Sequence, residues 1–171
     1  MSKFWELFIV PFLTVFLSVL FFWLPKIDPL KENVKTFQRY YNATIVGIIF
    51  FLFYIHLLTI AWNVGYIFDM GKMIVFPMAI LWYGIGTALP HIKQNWFMGI
   101  RTPWTMANPR VWEETHLWGG KAFRYSAVVC LIGVLLPSYL MFWFLIIPIS
   151  VSGLGSVIYS YLLFKKYGNS K

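Results

Sequence analysis

Charge is scarce in this sequence, and cysteine is nearly absent. Charged residues make up 12% of the chain, about half the share in an ordinary soluble domain. So few charges cannot cover the apolar surface of a 20.1 kDa globule whose residues are 60% hydrophobic. An ordinary soluble enzyme and a disordered chain are both excluded. Cys130 is the one cysteine and lies in an apolar run, which excludes a disulfide-stapled secreted scaffold. There is no glycine-rich phosphate loop, no Ser-His-Asp order and no Cys/His cluster. Acyl or phosphoryl transfer has nothing to stand on. The chain is expected to be no enzyme, with no cofactor and no metal. Internal repeats and low-complexity tracts are lacking too, so residues 1–171 read as a single membrane domain.

What the sequence does have is long apolar runs. A hydrocarbon core about 30 Å thick takes roughly 20 apolar residues of helix. Leu7 to Leu24, Thr44 to Trp62 and Met73 to Pro90 each come close to that, and Tyr125 to Phe164 is uncharged for 40 residues. The last run must fold back, and Pro137-Ser138 is the expected turn. The runs are continuously apolar, not alternating, which disfavours a membrane β-barrel. Bulky Phe21-Phe22-Trp23-Leu24 stands where a signal peptide would need a small-residue cleavage site. The expected fold is all-α: a polytopic membrane bundle of about five transmembrane helices. They are placed at about 5–24, 43–62, 72–90, 122–137 and 141–164. The fourth is short, so residues before Tyr125 are expected to extend it.

The net charge of +8 is unevenly distributed. With five spans, twelve of the 14 basic residues share one side: Lys26, Lys31, Lys35, Arg39, Lys93, Arg101, Arg110, Lys121, Arg124, Lys165, Lys166 and Lys171. Lys3 and Lys72 are left on the other. Asp28, Glu32, Glu113 and Glu114 fall on the basic side and Glu6 and Asp69 opposite, so the two sides carry 12 − 4 = +8 and 2 − 2 = 0. By the positive-inside rule the basic side is cytoplasmic, with the N-terminus outside and the C-terminus inside the cell membrane. The charge suits anionic lipid headgroups of the bilayer and calls for no direct nucleic-acid contact.

Residues 91–121 form an unusually long connection that holds four of the nine tryptophans: Trp96, Trp104, Trp112 and Trp118. Trp and Arg together suit the headgroup layer. Gly99 to Trp104 reads as a tight turn in which Pro103 pushes Thr102 into an extended conformation. Asn108-Pro109 reads as an N-cap followed by proline at the first helical position. A short helix over about 109–117 is expected at the cytoplasmic interface, running past Gly119-Gly120 into the fourth span as one option. On it Trp112, Thr115 and Gly119 share one face, with Arg110, Glu113 and Glu114 largely opposite. Two roles fit the segment: a cuff sealing the end of the bundle, or a recognition surface.

Lys93-x-Asn95-Trp96-Phe97-x-Gly99-Ile100-Arg101-Thr102-Pro103-Trp104-Thr105 resembles the signature of the SdpI family of bacterial and archaeal membrane proteins. Trp112-x-x-Thr115-His116-x-x-Gly119-Gly120 follows at the family's spacing, and Leu24-Pro25-Lys26-Ile27-Asp28-Pro29 resembles a segment after an earlier helix. The resemblance implies immunity to a secreted, membrane-active toxin, and recruitment of a cytoplasmic repressor to the membrane. Longer members carry a further N-terminal helix and an outer segment. This chain is expected to be a short form that starts at the family's second helix. Transport or channel activity is the competing reading, but the spans offer few polar side chains.

The residues expected to meet a partner, a toxin or a lipid headgroup are Lys93, Asn95, Trp96, Gly99, Arg101, Thr102, Pro103, Trp104, Trp112, Thr115 and His116. The guanidinium fork of Arg101 fits a phosphate, a carboxylate or the carbonyls of a helix end. His56 is the ionisable group of the second span. It is either a proton-linked group or a neutral histidine hydrogen-bonded to a carbonyl or hydroxyl. Glu113 and His116 have a spacing used in di-metal bundles, with His91 as a third candidate, but the other half of such a site is missing. Ser152, Ser156 and Ser160 recur every four residues in the last span. They suit close packing inside the bundle or a seam between two copies.

Overall fold

A computed structural model describes residues 3–168. Lys171 lies outside the described residues, as do the side chains of Lys3 and Glu6. The described residues form seven α-helices and no strand: α1 (Lys3–Ile27), α2 (Lys31–Thr36), α3 (Gln38–Val64), α4 (Met70–Ala88), α5 (Pro103–Ala107), α6 (Pro109–Val134) and α7 (Ser138–Tyr167). A 3-10 turn at Leu89–His91 follows α4. The protein is a helical membrane bundle. Four helical segments are long and apolar enough to cross a bilayer: Leu7–Ile27, Gln38–Val64, Met70–His91 and Ser138–Tyr167.

The expected fourth span is not a separate helix. It is the C-terminal half of α6, which runs unbroken from Pro109 and ends at Val134. Gly119-Gly120 does not interrupt α6 because neither residue takes a positive φ. Both are there for contact instead. A Cβ on Gly120 would sit 2.7 Å from the Gly86 carbonyl oxygen of α4, and one on Gly119 would sit 2.5 Å from Ile100. α1, α3 and α7 extend beyond the expected spans. Hydropathy marks the lipid-embedded part of a helix, while polar end residues can continue it through the headgroup layer. The turn at Pro137 is where it was expected, with Pro137 as the residue before α7.

In packing order the long helices run α1, α3, α4, α6, α7. α6 is the centre, buried by α4 on one side and α7 on the other. Its inward face is small: Ala127, Cys130 and Gly133, so neighbouring backbones come close. Ser152, Ser156 and Ser160 of α7 are buried within the chain, each donating to a carbonyl one turn back. The outer faces remain apolar and open, as at Phe12 and Phe50.

The two ends of the bundle are tied differently. At one end Ser138 donates to Asp69 (3.1 Å). At the other, the basic connections gather over a cluster of Val34, Phe37, Tyr41, Ala88, Leu89, Ile92 and Trp112. Pro25 removes the N–H that would serve the Phe21 carbonyl. The Tyr41 hydroxyl takes its place and donates to that oxygen at 2.7 Å.

Candidate functional site

The connection between α4 and α6 is held by side chains that turn inward to serve its own backbone. Asn95, 1% exposed, is the hub. Its Nδ2 donates to the carbonyls of Lys93 (2.9 Å) and Met98 (2.8 Å), and its Oδ1 accepts from the N–H groups of Phe97 (2.9 Å) and Met98 (2.7 Å). A buried amide with both donors and both lone pairs engaged fixes a turn. The buried Asp28 carboxylate accepts from the N–H of Leu30 (2.7 Å) and of Trp96 (3.0 Å). It thereby fastens the loop to the segment after α1. Asn33 donates to the Gln94 carbonyl (2.8 Å), and the Gln94 amide donates to the carbonyls of Thr105 (3.0 Å) and Met106 (2.7 Å).

Gly99 has φ +113°, which favours glycine. It brings the loop against His116, which is 1% exposed. The Ile100 N–H donates to His116 Nε2 at 3.0 Å, and Nδ1 lies 2.8 Å from the Trp112 carbonyl. Nε2 must accept, so Nδ1 carries the proton and the ring is neutral. Burial pushes the His116 pKa down to about 4, against a smaller upward effect of the Trp112 carbonyl. The Trp112 indole N–H donates to the Ile92 carbonyl (2.7 Å) and its ring stacks on His116 at 4.1 Å.

Thr102 is extended (φ −115°, ψ 161°) and caps α5, with Pro103 at the start. The Thr102 hydroxyl accepts from the Thr105 N–H (3.1 Å), Thr105 Oγ1 accepts from the Thr102 N–H (2.9 Å), and Thr102 Oγ1 reaches Ser160 Oγ of α7 at 3.0 Å. Asn108 caps α6 as expected, accepting from the N–H groups of Arg110 (2.9 Å) and Val111 (3.3 Å). α5 itself went unread in the sequence. Its Thr-Pro start carries the same signal as Asn108-Pro109.

The expected site residues therefore divide. Asn95, Thr102, Trp112, Thr115 and His116 are buried, and Gly99 is locked against His116. Trp104 is half-buried against Tyr161, ring centroids 5.1 Å apart. Lys93, Trp96, Arg101 and Pro103 face outward. Arg101 spans both groups: its guanidinium donates through Nη1 to the Trp96 carbonyl, a loop oxygen and not a helix end.

Glu113 and His116 do not converge. Glu113 is exposed on the far face of α6, and both His116 nitrogens are engaged by backbone. His91 stacks on Tyr40 at 4.1 Å. No group of three or more His, Cys, Asp or Glu that could hold a metal is present among the described residues. His56 Nδ1 is buried with no hydrogen-bond partner among the described residues, as is Thr115 Oγ1,

The SdpI/YfhL protein family model matches residues 91–160, from the start of this loop into α7. The chain is also 22% identical over 170 residues to "Immunity protein SdpI" of Bacillus subtilis (strain 168), across 99% of this chain and 80% of that protein. Over residues 91–160 the chain is similar to the SdpI/YfhL protein family. No solved structure matches it. The matched residues 91–160 contain the Asn95 turn and its His116 anchor, together with the exposed Lys93, Trp96 and Arg101.

Proposed function

We propose that this protein protects its cell against a secreted, membrane-active toxin, in a non-catalytic role. The likeness to the immunity protein along nearly the whole chain carries this reading. The exposed trio of Lys93, Trp96 and Arg101 supports it physically. A rigid loop presenting an aromatic ring between two cations suits an amphipathic peptide at a membrane surface. All three project from the Asn95 turn, so binding costs little ordering entropy.

With the C-terminal half of α6 as a fifth crossing beside the four long apolar helices, the positive-inside rule favours the basic end in the cytoplasm, the N-terminus outside and the C-terminus inside. The toxin reaches this end from within the bilayer. A cytoplasmic repressor is the second partner of the same end. The exposed charges of Lys121, Lys165 and Lys166 offer it an electrostatic surface. A homo-oligomer is a further proposal. Its seam uses the outward face of α7, at Val151, Leu154 and Ile158, because the serine face is covered by the chain itself.

Expression in a toxin-sensitive strain tests the immunity reading. Cells making the protein should keep their membrane potential at a toxin dose that depolarises the empty-vector strain. Trp96→Ala should lose that protection at unchanged membrane abundance. Depolarisation at the empty-vector dose with the intact protein would sink the proposal. Orientation is tested separately. Lys93→Cys should resist a membrane-impermeant maleimide in intact cells and react in inverted vesicles.

A further inference from the structure

α3 and α4 are joined by a short connection and packed together, yet they leave an open cleft of about 780 Å³ between them. Small residues make the room. Gly84 has no atom within 4 Å of where a Cβ would stand, and a Cβ on Gly47 would lie 3.3 Å from Leu81. Phe50, Ile80 and Leu81 give an apolar wall. The hydroxyls of Thr44 and Thr87 donate back into their own helices, to Tyr40 and Tyr83 (2.9 Å each). Their donors are thus used up and the cleft is dry in character.

One end is different. Arg39 borders the cleft in the first turn of α3 and is exposed. Among the described residues its guanidinium has no acidic partner; the ion pairs there join Lys35 to Glu32 and Arg110 to Glu114. The cleft runs from Arg39 to Tyr54, roughly 22 Å at 1.5 Å per residue. That matches one leaflet, half of a bilayer about 40–45 Å thick with its headgroups. A cation thus stands at headgroup depth above an apolar trough one leaflet deep.

We propose that this cleft is a binding site for one anionic phospholipid. Its phosphate lies on the Arg39 guanidinium and one acyl chain lies along Gly47 and Gly84. A guanidinium holds phosphate through paired N–H donors, and the trough replaces lipid neighbours around the chain. The site is independent of toxin binding.

Native mass spectrometry of the full chain released from detergent tests it. The probes are dioleoyl phosphatidylglycerol, dioleoyl phosphatidylcholine and glycerol 3-phosphate. The intact protein should retain phosphatidylglycerol about fivefold over phosphatidylcholine, about 1 kcal/mol of preference. Arg39→Gln should bring the two lipids to parity. Gly84→Leu should cut retention of both at least fivefold, and glycerol 3-phosphate should not be retained. Arg39 is exposed, so Arg39→Gln carries the test alone should Gly84→Leu fail to accumulate. Equal retention by the intact protein and Arg39→Gln would overturn the proposal. Retention of glycerol 3-phosphate would assign Arg39 to a free anion, and a dimer that Gly84→Leu dissolves would assign the cleft to a second copy; either overturns it.

Discussion

The Cβ that Gly99 lacks would stand 2.4 Å from Nε2 of His116. The absence of one methyl group therefore lets the loop close on the helix that anchors it. Gly99→Ala brings both that clash and an unfavourable positive φ. It should cost about 1–3 kcal/mol, seen as a lower melting temperature in detergent and lower membrane abundance. An unchanged melt would mean that the loop reaches His116 by another path.

His116 makes stability depend on pH. The unfolded imidazole takes up a proton near pH 6.5, while the folded one stays neutral until about pH 4. Between those values the unfolded state binds more protons, so stability is full above pH 6.5 and falls as the pH drops through this window. The loss amounts to about 3 kcal/mol at most. His116→Gln can keep an acceptor for the Ile100 N–H but does not titrate. Its melting temperature should fall less between pH 7 and 5 than that of the intact protein. Parallel slopes for the two proteins would exclude His116 as the titrating group.

Two glycines of the bundle predict opposite outcomes. Gly120 meets the Gly86 carbonyl oxygen and Pro90 within 2.8 Å of an added Cβ, whereas Gly153 has nothing within 4 Å. Gly120→Ala should separate α4 from α6 and destabilise by about 1–3 kcal/mol, as overpacking does. Gly153→Ala should be neutral or stabilise by up to about 1 kcal/mol through helix propensity. Thermal melts of the two variants side by side check the contrast.

Tyr41→Phe isolates one hydrogen bond. The Phe21 carbonyl, deprived of its helical donor by Pro25, would lose the Tyr41 hydroxyl as well. The acceptor is partly buried, so leaving it unsatisfied should cost about 1 kcal/mol. The variant should melt lower, while hydrogen exchange should rise near the C-terminal end of α1 and not in α7.

Composition and hydropathy by themselves determined that this is a helical membrane protein. Apolar runs need no partner to declare their solvent, and the Pro137 turn and Asn108 cap are local signals written in adjacent residues. The signature over 93–105 was legible for the same reason. Tertiary structure alone decided what those residues do. Asn95, Thr102 and His116 look like exposed polar recognition groups in a loop, yet they face inward because the loop's own N–H and C=O groups must be satisfied away from water. Several of the partners are far along the chain: Ser160 is 58 residues from Thr102, Ile100 is 16 from His116, and Asp28 holds Trp96 across 68, separations that leave no periodic trace. The fusion of the interfacial helix with the fourth span was one of two options that the sequence left open. A glycine pair is written the same way whether it breaks a helix or lets another helix touch it, and only the approach of Gly86 to Gly120 settles which.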